Sequence, residues 1–197
     1  YLKVCEDLGV SPASYFLRHI QDKEMTMKFH GLGKNNTKAI CIPLETNTQI
    51  EKLNLSGNGI DTDGALSLIR VLKENFFITD LVLAENKIGS VGARAVCDLL
   101  LSNRTLVNVD LTGNKIDDST ATFFHEVLIK NQTLKKLRLN HNRFEESAAV
   151  FFKGALMENE SLEVLDLSWN HFGTRGAVLL AEGLQVSTKI SYCYFLV

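Results

Sequence analysis

At 197 residues and 45% hydrophobic content, the chain is long enough to bury a full-sized core as one domain or two. Its 21 basic and 23 acidic residues nearly cancel, to a net charge of −2, which argues against nucleic acid or an acidic membrane surface as partner. No stretch approaches the roughly 20 apolar residues of a membrane helix, and no basic-then-apolar secretory leader is visible. Cys5, Cys41, Cys97 and Cys193 are scattered through apolar patterns with no C-x-x-C pairing, so they read as reduced thiols, and the compartment as cytoplasmic or nuclear.

Residues 1–21 carry a short apolar stripe, a helix cap expected at Ser11 with Pro12 at the first helical position, and then Tyr15, Phe16 and Ile20. This segment reads as an N-terminal helical cap over the open end of a core. In residues 22–49, Met25, Met27 and His30 stand one period before Leu53, Leu55 and Asn58, which marks a diverged first repeat. Residues 50–189 hold five repeats of 28 residues whose opening phrases are IEKLNLSGN, ITDLVLAEN, LVNVDLTGN, LKKLRLNHN and LEVLDLSWN. A fixed period of this length signals a solenoid, whose units bury their apolar side only against neighbours. Residues 190–197 begin a further, partial repeat with Ile190, Cys193 and Phe195 at core positions. Opening on Tyr1 and stopping within a repeat, the chain reads as part of a longer protein.

Within a repeat, Leu162, Leu165 and Leu167 alternate toward a core while Glu163, Val164, Asp166, Ser168 and Trp169 face away, the pattern of a short strand. Ala177, Leu180 and Leu184, with their counterparts in every repeat, form one helical stripe. The asparagines that close the phrases, Asn58, Asn86, Asn114, Asn142 and Asn170, each offer an amide donor and acceptor where the chain turns with its backbone buried. They are expected to form a structural ladder. A second column, Asn75, Asn103, Asn131 and Asn159, ends each helix and is expected in the left-handed conformation of a C-terminal cap. Three of these also begin N-x-S/T triplets, but their recurrence at the repeat period points to a structural role rather than to glycosylation.

Chemistry finds little footing. The five histidines are dispersed, and His141 with His171 lacks the third ligand of a zinc site, so no metal and no cofactor is expected. No G-x-x-x-x-G-K-S/T loop and no G-x-S-x-G elbow occurs, and the chain reads as a non-enzyme. The variable strand positions are where specificity belongs, because the invariant ones are committed to the core. Read as columns they run Lys52, Asp80, Asn108, Lys136, Val164; Asn54, Val82, Asp110, Arg138, Asp166; and Gly57, Glu85, Gly113, His141, Trp169. Arg138, His141, Trp169, Asp110, Asp166, Glu85 and Lys136 are the expected protein-binding residues, with Trp169, the one tryptophan, exposed near His141 and Arg138.

The L-x-x-L-x-L-x-x-N-x-I/F phrase followed by a helix resembles the ribonuclease-inhibitor type of leucine-rich repeat over residues 22–197. The lead-in SPASYFLRHI is similar to that of the leucine-rich-repeat-containing protein seventy-four family. The resemblance implies an α/β fold: a curved, right-handed solenoid arc with parallel strands on its concave face and helices on its convex face. It also implies work through protein contacts. The expected function is therefore a protein-interaction scaffold holding a protein partner on the concave strands. The alternatives are a regulatory subunit for a small GTPase or similar switch, and a module that self-associates as a homo-oligomer through the edge strand at Ile190–Val197. The GTPase activators of the family use an arginine in their early loops, and residues 31–36 offer Lys34 instead.

Overall fold

Among the described residues, seven short strands alternate with helices, and all seven join one open, parallel sheet in chain order. The computed structural model describes residues 1–187 and 189–195. The strands are β1 (Glu24–Thr26), β2 (Lys52–Asn54), β3 (Asp80–Val82), β4 (Asn108–Asp110), β5 (Lys136–Arg138), β6 (Val164–Asp166) and β7 (Tyr192–Tyr194). The helices that return the chain are α3 (Gly33–Glu45), α4 (Thr62–Leu72), α5 (Gly89–Ser102), α6 (Ala121–Lys130), α7 (Glu146–Glu158) and α8 (Gly173–Val186). Every strand pairs with the next in register, so that Leu53 faces Leu81 and Leu137 faces Leu165, 28 residues apart. This is the expected leucine-rich-repeat arc, strands lining the concave side and helices the convex one.

The core follows from the two periods. On the strand side Leu53, Leu81, Val109, Leu137 and Leu165 are buried, and on the helix side Ala65, Ala93, Ala121 and Ala149 let each helix sit close to the sheet. Between β4 and α8 the filling is aromatic. Phe144 meets Phe124 and Phe152 edge-on at ring-centroid distances of 6.0 and 5.2 Å, and Phe152 meets Phe172 the same way at 6.2 Å. Such edge-to-face pairs each add about 0.5–1.5 kcal/mol beyond area burial.

The ladder asparagines close each turn with both halves of the amide. Asn142 Nδ2 donates to the carbonyls of Leu111 and Leu139, in two successive repeats, at 3.0 and 2.9 Å. Its Oδ1 accepts the N–H groups of Asn114 and Ile116, both at 3.0 Å. Asn58, Asn86 and Asn170 repeat the pattern of donation, each to its own turn and to the repeat before it.

The second column differs from its sequence reading. Asn103, Asn131 and Asn159 end α5, α6 and α7 with extended rather than left-handed backbones, at ψ of 140, 124 and 130°. The reason is the side chain: Asn131 Oδ1 accepts the N–H of Thr133 and Leu134 at 2.8 and 2.7 Å, while its Nδ2 reaches back to the carbonyl of Leu100 at 2.6 Å. These Asx-type turns aim the chain at the next strand. Asn47 heads the same column, donating to the Ile20 carbonyl and accepting from Gln49 and Ile50. Asn103, Asn131 and Asn159, the helix-ending asparagines that begin N-x-S/T triplets, are buried, which leaves no room for a glycan on their side chains in the folded chain.

At the N-terminus two short helices, α1 (Leu2–Asp7) and α2 (Ser14–His19), bring Cys5 and Phe16 into the core. The expected cap at Ser11 and Pro12 is not formed: α2 starts after Ala13, whose N–H is taken by the Tyr1 hydroxyl at 2.8 Å. At the other end β7 pairs with β6, and Leu196 and Val197 of the expected edge strand lie outside the described residues. No helix among the described residues is long and apolar enough to cross a membrane.

Replacing Asn114 by alanine strands buried backbone groups in two repeats, and chemical denaturation is expected to record a loss of about 1–3 kcal/mol. All four cysteines are unpaired, and burial pushes the Cys41 thiol up to about 12 and that of Cys97 higher still. The thiolate is the reactive species, so Cys41 and Cys97 are expected to resist iodoacetamide at neutral pH until the protein is unfolded, as read by intact mass.

Candidate concave binding face

In-register pairing converts the repeat into columns. Glu24, Lys52, Asp80, Asn108, Lys136, Val164 and Tyr192 align across the sheet, and two residues on, Thr26, Asn54, Val82, Asp110, Arg138, Asp166 and Tyr194 do the same. Alternation along each strand turns both columns away from the buried leucines and toward the concave surface.

Charge is distributed unevenly along these columns. At the N-terminal end cations are neutralised from strand to strand, Lys52 by Glu24 at 2.5 Å and Lys23 by Glu51 at 2.7 Å. Further along, Lys136 and Arg138 are both exposed and enter no ion pair among the described residues. Arg138 stands in register between Asp110 and Asp166, yet both carboxylates turn along their own strands instead. Asp110 Oδ1 accepts the Thr112 N–H and hydroxyl at 2.9 and 2.6 Å, and Asp166 Oδ1 accepts those of Ser168 at 3.0 and 2.6 Å. The guanidinium is thereby left facing the groove. Lys136, Arg138, Val164, Asp166, Tyr192 and Tyr194 line a shallow pocket of about 190 Å³.

A third column sits where each strand bends toward its ladder residue. Phe29, Glu85, His141 and Trp169 all have positive φ, between 55 and 56°, as do Gly57 at 66° and Gly113 at 67°. The bend demands the left-handed region, which costs a residue bearing a Cβ about 1–2 kcal/mol. The glycines serve a second purpose, because the Phe29 ring lies where a Gly57 side chain would be and the Glu85 carboxylate where one at Gly113 would be. Where two side chains fall in consecutive repeats they stack. His141 and Trp169 lie with ring planes 5° apart and centroids at 5.4 Å, and Trp169 remains 65% exposed.

Of the residues singled out from the sequence, Lys136, Arg138 and Asp166 share the pocket, and His141 and Trp169 share the stack. Asp110 lies one strand away, and Glu85, folded onto Gly113, stops one repeat short of His141. His171 forms an isolated bridge with Glu145 and is not joined to His141. Sequence reading missed Tyr192 and Tyr194. Their signal was the period itself, since they continue the Val164 and Asp166 positions by 28 residues. Among the described residues no group of three or more His, Cys, Asp or Glu side chains is placed to hold a metal ion.

A family model described as "Leucine Rich repeat" matches residues 46–68, 74–97, 102–121, 130–150 and 158–181. Among solved structures, leiomodin-1 actin-binding site 2 is similar at a TM-score of 0.56 and 20% identity, over 89% of this chain and 92% of that one. The tropomodulin C-terminal domain from Caenorhabditis elegans is similar at a TM-score of 0.64 and 17% identity, over 77% of this chain and 92% of that one. At these identities the likeness is one of fold.

Gly57→Ala places a Cβ at positive φ and against the Phe29 ring, and is expected to cost about 1–2 kcal/mol in a denaturant titration. Glu85→Gly, which relieves the same backbone strain at an exposed site, is expected to leave stability level or slightly higher.

Proposed function

The chain belongs to the leucine-rich-repeat family, and from that premise we propose that it is a non-enzymatic scaffold that holds a protein partner on the C-terminal half of its concave face. One observation carries the reading: cations on β5 that enter no ion pair among the described residues share a pocket with two tyrosines on β7, and an exposed tryptophan, stacked on His141, follows three residues after Asp166 of that pocket. Tryptophan, tyrosine and arginine are the side chains that most often dominate protein interfaces. The pocket is open and shallow, which suits a macromolecule better than a small substrate. Within the family, the 28-residue period and the helical lead-in favour the ribonuclease-inhibitor type and the leucine-rich-repeat-containing protein seventy-four group. Four unpaired thiols favour a reducing compartment, the cytosol or the nucleus.

Because the similar leiomodin-1 structure is an actin-binding site, actin is the first partner to try. Regulation of a small GTPase is disfavoured, because Lys34, which stands where the activators use an arginine, lies in the first turn of α3 and is engaged by Asp63. Self-association is a second reading, favoured by the exposed Tyr192 and Tyr194 on β7; a mass that stays monomeric over a wide concentration range in sedimentation would end it. For the scaffold itself, Trp169→Ala and Arg138→Glu change exposed positions and are expected to leave folding intact. Each is expected to weaken the captured partner, actin or another protein, by about 2 kcal/mol or more. Unchanged capture of every partner by both variants would remove the concave face from consideration.

A further inference from the structure

Lys136 and Arg138 on β5 and Tyr192 and Tyr194 on β7 divide one pocket into a cationic side and an aromatic side, with Val164 and Asp166 of β6 as the floor between them. Two strand spacings of about 4.8 Å separate the sides, about 9.6 Å in all. Three residues of extended chain span about 10 Å. A peptide crossing the strands thus brings residues three apart over the two sides. Going the other way from β5, the surface turns acidic at Asp110 and Asp80, neither of them in an ion pair among the described residues.

We propose that this end of the concave face is a docking site for an extended peptide segment with a carboxylate-bearing residue three positions from an aromatic one, and with a basic residue three positions to the carboxylate's other side. The assignment rests on the concave-face reading and sharpens it to a partner chemistry. The carboxylate meets Lys136 and Arg138, neither of which enters an ion pair among the described residues. Ring-to-ring contact with the amphipathic faces of Tyr192 and Tyr194 anchors the aromatic residue. Two strand spacings from β5, the basic residue lies over β3 and answers Asp80, with Asp110 passed on the way.

The same arrangement selects against other occupants. A polyanion running across the strands meets Asp166 on one side of Arg138 and Asp110 on the other, whereas a single carboxylate can sit toward Lys136, whose in-register neighbours are the uncharged Asn108 and Val164. Like charges set side by side at a contact surface are costly enough to reject a partner. Strand addition in the middle of the sheet is closed as well, because the backbone groups of β5 and β6 are already paired with their neighbours. Recognition here is therefore by side chains.

The test is a display selection with random peptides on the intact chain, followed by titration of the enriched peptide against the protein. Trp169, the single tryptophan and three residues beyond Asp166 of the pocket, serves as the fluorescent reporter. Enrichment of basic-x-x-acidic-x-x-aromatic sequences, in either chain direction, is the expected result. Lys136→Glu with Arg138→Glu is then expected to weaken the peptide by roughly tenfold or more, and exchanging the peptide's acid for lysine is expected to restore binding to that double variant alone. Both positions are exposed, and an unchanged thermal midpoint verifies that the double variant is folded. Enrichment of polyacidic sequences, no enrichment at all, or a selected peptide indifferent to the charge reversal would overturn the proposal. If partner capture still depends on Trp169 and Arg138 in that event, the concave face survives as the docking site and only the partner chemistry assigned here falls.

Discussion

The buried amide of the ladder asparagine is the interaction on which the rest of the molecule depends. A strand of three residues cannot hold itself, and the turn that follows it buries backbone donors and acceptors that water cannot reach. By donating to the carbonyls of its own turn and of the preceding repeat, and accepting from the N–H groups of that repeat, Asn142 joins two repeats in one set of hydrogen bonds. Leaving such groups unsatisfied costs more than any single exposed contact supplies. Repetition of this joint keeps the register constant from β2 to β6. Constant register, in turn, is what lines up the side chains of successive strands into columns with a chemical character of their own.

Those columns are where the chain departs from its own repetition. Core positions repeat because they share one environment, while the concave positions pass from paired charges at β1 and β2, through carboxylates at β3 and β4, to free cations and aromatic rings at β5 to β7. The internal hydrogen bonds of Asp110 and Asp166 matter as much as the presence of Arg138. Had those carboxylates closed on the guanidinium, the groove would be electrostatically self-sufficient. Bound instead to the Thr112 and Ser168 backbone and hydroxyl groups, they leave Arg138 with its charge available.

Much of the fold was legible because its determinants are periodic. Leu53, Leu81 and Leu137 declare the strand core, Ala65 and Ala93 the helix stripe, and the asparagines the turns. Less legible was the backbone at the bend, since Phe29, Glu85, His141 and Trp169 are not residues that announce positive φ, and only Gly57 and Gly113 hint at it. Nor did the helix-ending asparagines reveal that their side chains, rather than a left-handed backbone, turn the chain. That choice depends on a carbonyl 31 residues earlier, such as Leu100 for Asn131, which sequence spacing alone does not bring into view. At the pocket, Lys136 and Arg138 were evident as outward-facing residues, but their freedom from Asp110 and Asp166 rests on the rotamers those acids adopt.

The phenylalanine cluster running from Phe124 to Phe172 belongs to the same repeats that carry Lys136, Arg138, His141 and Trp169. Interlocked rings tolerate little rearrangement, so the wall in front of them is held rigid before any visitor arrives. A visitor then meets a preformed surface and gives up mainly its own freedom. Loosening that aromatic nest, far from any contact, would tax affinity through the entropy of the wall.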